Sequence, residues 1–414
     1  MRTLFALAAT IALLLCATTI HAGPDKPKKR EKDPEVAEFE RAIYGKGWVA
    51  TRLDGTHKSG FGAAIGILKD EDTAAIETRI AEAKQYRDAK VAFGKSYPWA
   101  RRAAWVKTEH FELCCDIKKI GLIGVCGGEG AADTFEATLT YAERAERIWS
   151  DMKAVFGADQ MPGFPKTIYL WDKDDTGRKN RNTVLRDLFK DFLSADHKSG
   201  GTDMHNPHTS NIWWDPENSP TDDKLWEHYT HIVAQMLLLD RSSQYGGDMN
   251  AFGWLQEGWA FYLTRKHREL DASTTILLQE GAKGKPEHIS GSAYGATCTA
   301  LAKNGPNPEK GGFTPFEKLF LTNVNAFTLK ERIQCWGIVK YIIEVYGNAA
   351  FVKFIDTIAQ RKKTPEVITE VLDLTLKQFQ DEWVQYFTDK KFADKKKAEL
   401  AAKRANQPPA DPPK

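Results

Sequence analysis

Hydrophobic and polar positions predict a long helix flanked by strands in the first half of the chain. Strand-like alternation occurs around Phe111 and Leu113, and again over 166–171 and 211–214. Between the first two strands, apolar residues recur at helical spacing, and Gly157 follows them as a natural helix stop. The apolar positions of this helix are Phe135, Leu139, Ala142, Ala145, Trp149, Met152 and Phe156.

The last third of the chain is predicted to be helical. Helical spacing runs over 328–345, where Thr328 and Glu331 fit a capping box at the helix start. Thr375 and Gln378 fit a second capping box before another helix. These patterns predict an α-helical C-terminal part.

The first 22 residues have the features of an export signal. Arg2 supplies the positive end, 4–17 form an apolar run and 20–22 resemble a cleavage region. Cys16 is a weaker indication of a lipoprotein signal, because Leu15 stands where a small residue is usual. The apolar run is too short for an ordinary membrane span. We therefore expect a secreted or periplasmic protein of the cell envelope, with no integral membrane segment.

The composition excludes several functional classes. The chain has 414 residues, of which 42% are hydrophobic and 28% charged, so we expect two or three globular units. Lysine plus arginine (58) nearly balances aspartate plus glutamate (56), which disfavours nucleic acid as a partner. The sequence contains no G-x-S-x-G elbow and no P-loop, so serine-hydrolase and phosphate-binding interpretations gain no support.

Five cysteines follow the predicted signal: Cys114, Cys115, Cys126, Cys298 and Cys335. An odd number leaves at least one thiol unpaired unless two chains are linked. Cys114 with Cys126 and Cys298 with Cys335 are candidate bridges, and buried thiols are the alternative. Either interpretation is favoured over a soft-metal site, because the paired C-x-x-C spacing of structural zinc sites is missing.

Three side chains with metal-binding or proton-transferring groups share one face of a predicted helix whose first residues are 225–233. At about 100° per residue, Glu227 and His231 lie about 40° apart, and His228 lies about 60° beyond His231. Glu257 follows within a second predicted helix, in the sequence W-L-Q-E-G-W-A-F-Y. A carboxylate at this point would complete a site, although an ordinary polar helix face is the simpler alternative.

These two segments resemble the gluzincin zinc metallopeptidases, in particular the exported bacterial proteins of the peptidase-MA-like group. That group carries H-E-x-x-H on one helix and W-L-x-E-G-x-A-x-Y on the next. Its two histidines and later glutamate hold Zn²⁺, and the intervening glutamate activates water. The second motif is matched here by Trp254, Leu255, Glu257, Gly258, Ala260 and Tyr262.

The first motif departs from the family pattern. When His231 is aligned with the second zinc histidine, Glu227 stands at the first ligand position and His228 at the general-base position. The resemblance thus implies zinc ligation by Glu227, His231 and Glu257. Two carboxylates and one imidazole form a more anionic set that acidifies bound water less, and replacing the usual base typically lowers the rate by roughly 10² to 10⁴.

The resemblance covers about 108–387 and implies an α+β fold, in which a zincin-like core with a small mixed sheet and active-site helices is followed by the α-helical C-terminal part. From the broken first motif we expect a degenerate metallopeptidase with a binding or scaffolding role and a peptide or protein ligand. An active, divergent zinc-dependent peptidase is the alternative. A cell-wall or carbohydrate-associated module is the third interpretation. Its substrate groove would be lined by aromatic residues that also fit ordinary core packing, namely Trp213, Trp214 and Trp259.

The predicted organisation follows from these features. We expect the signal peptide to be followed by an N-terminal tether with a helical segment, a peptidase-MA-like α+β core, a helical C-terminal part and a basic, proline-rich disordered tail that begins as a frayed helix. The corresponding ranges are 1–22, 23–100, 101–270, 271–388 and 389–414.

Overall fold

A computed structural model describes residues 49–52, 63–65, 73–97, 100, 103–122, 131–158, 161, 166–172, 204–205, 209–214, 222–243, 249–267, 273–275 and 288–405. The predicted signal at 1–22 lies outside these residues. The chain divides into two units, which are described separately. Unit 1 comprises Met1–Glu143, Thr167–Asp196 and Trp213–Asp223, and unit 2 comprises Arg144–Lys166, His197–Ile212 and Lys224–Lys414.

The described ranges contain both strands and helices, which confirms an α+β protein. The strands are β1 (Val49–Arg52), β2 (Ala63–Ile65), β3 (Ala104–Lys107), β4 (Phe111–Cys115), β5 (Lys119–Gly121), β6 (Ala131–Asp133), β7 (Lys166–Asp172), β8 (Met204–His205), β9 (Thr209–Trp214), β10 (Ser273–Thr275) and β11 (His288–Ser290). The helices are α1 (Thr73–Ser96), α2 (Thr134–Phe156), α3 (Asp222–Ser243), α4 (Met249–His267), α5 (Tyr294–Asn304), α6 (Phe316–Leu319), α7 (Leu329–Tyr341), α8 (Asn348–Ala359), α9 (Thr364–Leu372), α10 (Leu376–Thr388) and α11 (Phe392–Ala405).

Unit 1 contains a sheet in which neighbouring strands follow the order β2, β1, β3, β4, β7. Strand β1 pairs antiparallel with β2 and with β3, and β3 pairs antiparallel with β4, where Ala104 lies opposite Cys115. The alternating segments predicted around Phe111 and over 166–171 are therefore confirmed as strands. Strands β1 and β2 lie in the segment for which only a tether and a helix were predicted. The pairing of β1 with both β2 and β3 supplies order that such short sequences do not encode alone.

A buried lysine holds α1 against this sheet. The Nζ atom of Lys90 lies 2.6 Å from Glu112 Oε1 and 4.0 Å from the centre of the Trp105 ring. Both the ion pair and the cation–π contact involve a lysine that is only 14% exposed, so water screens them less than at an open surface. These two contacts join α1, the helix of the predicted N-terminal segment, to β3 and β4.

Capping decides where the C-terminal helices begin. At the start of α7, the Thr328 backbone N–H donates to Glu331 Oε2 (2.8 Å) and the Glu331 backbone N–H donates to Thr328 Oγ1 (3.3 Å). Thr375 and Gln378 form the same reciprocal pair at the start of α10. Both capping boxes predicted from the sequence are confirmed. Helix α7 continues into a π-helical turn, Ile342–Tyr346, before Gly347.

The tail predicted over 389–414 as a frayed helix running into disorder contains a helix, α11. Phe392 is buried at the start of α11. Lys396 Nζ lies 2.9 Å from Glu382 Oε1 of α10, and Lys403 Nζ lies 2.6 Å from Asp373 Oδ2. These contacts connect α11 with α10 and with the residue that follows α9.

The four cysteines in the described part of the chain are free and buried: Cys114, Cys115, Cys298 and Cys335. The candidate bridge between Cys298 and Cys335 is therefore absent, because Cys298 Sγ instead donates to the Ile333 carbonyl at 3.4 Å. Cys126, the partner proposed for Cys114, lies outside the described residues. Burial raises the pKa of all four thiols, which keeps them protonated and unreactive.

Helices α4 and α7 of unit 2 pack closely against each other at Gly258. A Cβ atom on Gly258 would lie 2.5 Å from the Cys335 carbonyl oxygen and 2.7 Å from Val339 Cγ2. Only a glycine therefore permits this approach of the two backbones.

Among the helices of the described ranges, none combines the length and apolarity needed to cross a membrane.

Replacing Gly258 with alanine is expected to destabilise the protein by about 1–3 kcal/mol, because the added methyl group meets backbone and forces α4 and α7 apart. Chemical denaturation would measure this change in the free energy of unfolding. Gly295→Ala is the matched control, since a Cβ there meets no atom within 4 Å, and we expect it to be neutral or slightly stabilising. Equal stability of Gly258→Ala and wild type would contradict the close contact.

Candidate functional site

Helices α3 and α4 bring His231 and Glu257 together. The Nε2 atom of His231 lies 3.6 Å from Oε1 of Glu257. Both residues are buried, with exposed fractions of 7% and 3%. Phe261, one turn after Glu257, packs its ring edge-on against the imidazole with centroids 4.8 Å apart. The pairing of one imidazole and one carboxylate expected from the two motifs is thus present, in an apolar setting.

Gln235 bridges this pair and was missed in the sequence analysis. Its amide nitrogen donates to Glu257 Oε1 at 3.0 Å and lies 3.0 Å from His231 Nε2. Gln235 comes one helical turn after His231 in α3, so its presence on the same face follows from helical spacing. A neutral amide is not a group that the zinc motif uses, so the motif did not point to it.

Arg332 of α7 pairs with the other carboxylate oxygen. Its Nη1 atom lies 2.6 Å from Glu257 Oε2, and its Nη2 donates to the Val324 carbonyl at 3.1 Å. The Nη1–H bond is not aligned with Oε2, so the contact is an ion pair rather than a well-directed hydrogen bond. Arg332 is only 4% exposed. Because Arg332 and Glu257 are far apart in the sequence, no local sequence pattern predicts this contact.

These partners keep Glu257 ionised. Burial by itself raises the pKa of a carboxyl group, but the neighbouring His231 and Arg332 outweigh that effect and lower the pKa of Glu257 from 4.5 to about 2. The carboxylate is therefore charged at neutral pH even though it lies in the protein interior. Its charge is compensated by groups of the chain itself.

The other residues of the first motif do not complete a metal site in the described structure. Glu227 lies one turn before His231 on α3 and is buried, and His228 is half-buried. Within the described ranges, no group of three or more His, Cys, Asp and Glu side chains is placed to hold a metal ion. The structure thus brings together two of the three expected ligands, His231 and Glu257.

The surroundings of this pair do not fit zinc as they stand. Zinc lies about 2.0–2.2 Å from nitrogen and oxygen ligands. Any point at that distance from both His231 Nε2 and Glu257 Oε1 lies within about 3.5 Å of the Gln235 amide nitrogen. The amide N–H group would then face the cation. The second carboxylate oxygen of Glu257 is paired with the Arg332 guanidinium, whose positive charge would also repel a zinc ion.

The aromatic residues assigned to a groove have different outcomes. Trp259 is completely buried, with its ring 5.3 Å from that of Phe156 and 5.5 Å from that of Phe351, measured between centroids. This position makes Trp259 part of the core of unit 2. The backbones of Trp213 and Trp214 lie in β9, and their side chains lie outside the part of the chain that the structure describes.

Comparisons with protein-family profiles, with curated proteins and with solved structures gave no match. These comparisons identify no family for the chain, and the resemblance to the gluzincins rests on the sequence motifs alone.

The pKa of Glu257 predicts a specific dependence of stability on pH. Because this pKa is about 2 in the folded protein, below its ordinary value of 4.5, the ionised carboxylate stabilises the folded state above pH 4.5. That stabilisation is lost as the pH falls from 4.5 towards 2. We expect Glu257→Gln to be less stable than wild type at neutral pH by on the order of a few kcal/mol, and to lose stability less steeply in acid.

Denaturant unfolding at several pH values would measure both effects. Asp373→Asn is the control, since Asp373 also pairs with a cationic side chain, that of Lys403, but is solvent-exposed, where water weakens the ion pair. A Glu257→Gln variant with the same acid slope as wild type would show that the buried ion pair does not hold the carboxylate ionised.

Proposed function

We propose that this chain is an exported, peptidase-MA-like protein whose metallopeptidase site is degenerate and which binds or scaffolds a peptide or protein ligand. One observation carries the proposal: each oxygen of Glu257 is already engaged, one by the Gln235 amide and the other by the Arg332 guanidinium. A catalytic zinc needs three protein ligands and an open position for water. The expected carboxylate ligand is instead committed to partners within the protein.

The altered first motif supports the same proposal. His228 stands where the family carries the glutamate that activates water, and a histidine is a different base with a different reach. Glu227 stands where the family carries the first zinc histidine. Both departures affect the chemical step directly, whereas neither disturbs the helix that carries them.

The intact second motif has a structural explanation that does not require catalysis. Gly258 allows α7 to approach α4. Trp254 Nε1 donates to Thr364 Oγ1 at 3.3 Å, and the Trp254 ring lies 4.6 Å from that of Phe320. Ala260 and Leu255 are completely buried. These residues serve the packing of α4, so the motif is useful to the fold even in a protein without peptidase activity.

The distance between His231 and Glu257 also favours a second candidate function, an active zinc-dependent peptidase. Their 3.6 Å separation is close to that of two ligands sharing one zinc ion. In this alternative, Glu227 is the third ligand and His228 the base, and Gln235 and Arg332 move away when metal binds.

Metal content and peptide hydrolysis of the mature protein distinguish the two candidates. We expect wild-type protein from zinc-replete cultures to carry much less than one zinc per chain by elemental analysis. We also expect no chelator-sensitive hydrolysis of a mixed peptide library, because the carboxylate is engaged internally. Glu257→Ala is the matched variant for both measurements. Metal-dependent hydrolysis that is lost in Glu257→Ala would overturn the proposal and establish the peptidase.

A further inference from the structure

A carboxylate buried as deeply as Glu257 needs a positive charge beside it, since an isolated ion in the protein interior is strongly disfavoured. In the zinc peptidases that the motif resembles, the metal supplies that charge. In this chain the nearest formal positive charge is the guanidinium of Arg332, 2.6 Å from Glu257 Oε2. The positive charge beside Glu257 is therefore supplied by a side chain of the protein itself.

We propose that Arg332 is a resident cation that takes the place of a metal ion at Glu257, so that the native protein excludes zinc from this site. The inference deepens the proposed function and rests on it, because it supplies the means by which the site is degenerate. Gln235 completes the replacement by donating to the other carboxylate oxygen. The cluster Gln235, Glu257 and Arg332 then satisfies the carboxylate without any external ion.

The fold aims Arg332 at this position. Cys335 and Val339 of α7 are the residues that meet Gly258 of α4. Arg332 comes three residues before Cys335 and seven before Val339, so all three share one helix face. Gly258 directly follows Glu257 along the chain. The close approach of the two helices therefore delivers the guanidinium to the carboxylate, and the Val324 carbonyl anchors its far side at 3.1 Å.

The chemistry of arginine suits this role. The guanidinium stays protonated over the whole working range of pH and is more weakly hydrated than an ammonium group. It is also covalently part of the chain, so no chelator removes it. A protein built in this way keeps its fold when metal is scarce, whereas a site that depends on zinc loses stability together with its ion.

Another buried ion pair of unit 2 provides a matched comparison. Arg241 of α3 lies 2.6 Å from Asp356 of α8, and its side chain is 8% exposed. Asp356 is 26% exposed, and neither residue belongs to the two motifs. Loss of this pair removes a comparable contact without opening the carboxylate of Glu257.

The experiment compares Arg332→Met, Arg332→Lys, Arg241→Met and the double variant Arg332→Met/Glu257→Gln with wild type. Unfolding equilibria and melting temperatures are measured in EDTA and in ZnCl₂. We expect Arg332→Met to raise the unfolding constant by roughly a hundredfold or more, because it leaves a buried carboxylate unpaired. Arg332→Lys keeps the charge and is expected to recover much of this loss. The double variant is expected to be more stable than Arg332→Met alone.

Zinc provides the readout that an ordinary structural ion pair does not change. We expect ZnCl₂ to raise the melting temperature of Arg332→Met by at least about 3 °C more than that of wild type, since ligand binding to the folded state alone raises stability. We expect no such difference for Arg241→Met or for the double variant. If Arg332→Met does not fold without zinc, its recovery by ZnCl₂ supports the proposal, and its failure to recover in ZnCl₂ contradicts the proposal.

Two results would overturn the inference. The first is a wild-type protein that holds about one zinc per chain and releases it in Glu257→Gln. The second is an Arg332→Met variant that responds to ZnCl₂ no differently from wild type. A different measurement tests the proposed function: metal-dependent peptide hydrolysis by the wild-type protein would contradict it. A zinc-free, inactive wild type with an unresponsive Arg332→Met would reject only the role of Arg332.

Discussion

The ionised carboxylate of Glu257 imposes the main constraint on unit 2. It lies in the interior, where charge is costly, and its low pKa shows that its neighbours more than offset that cost. Compensation comes from two other helices, through Gln235 of α3 and Arg332 of α7. A single acidic side chain therefore contacts both the preceding helix, α3, and the helix α7, which is far away in the sequence.

Packing and charge compensation depend on each other at this point. Gly258 allows the α7 backbone to come close to α4, and the same approach brings Arg332 to Glu257. The surrounding aromatic residues Trp254 and Trp259 fill the remaining space as core residues. The stability of this fold thus suffices to explain the presence of a sequence motif that is associated with catalysis in the gluzincins. The proposed loss of peptidase function and the proposed internal cation are two aspects of that arrangement.

Local patterns predicted much of the secondary structure because helix spacing, strand alternation and capping act over a few residues. The helix ending at Gly157, the strands β4, β7 and β9, and the capping boxes of α7 and α10 all follow from such patterns. Order that depends on remote partners escaped prediction. Strand β1 is ordered by pairing with β3 on one side and with β2 on the other.

At the candidate site, the sequence by itself determined that Glu227, His228 and His231 share a helix face and that Glu257 stands in a second helix, because both statements rest on helical periodicity. Only the tertiary structure decided which groups meet. It brought His231 to Glu257, inserted the Gln235 amide between them and placed Arg332 on the remaining oxygen. No local pattern encodes the last of these contacts, since it depends on how closely two helices far apart in the chain pack at Gly258.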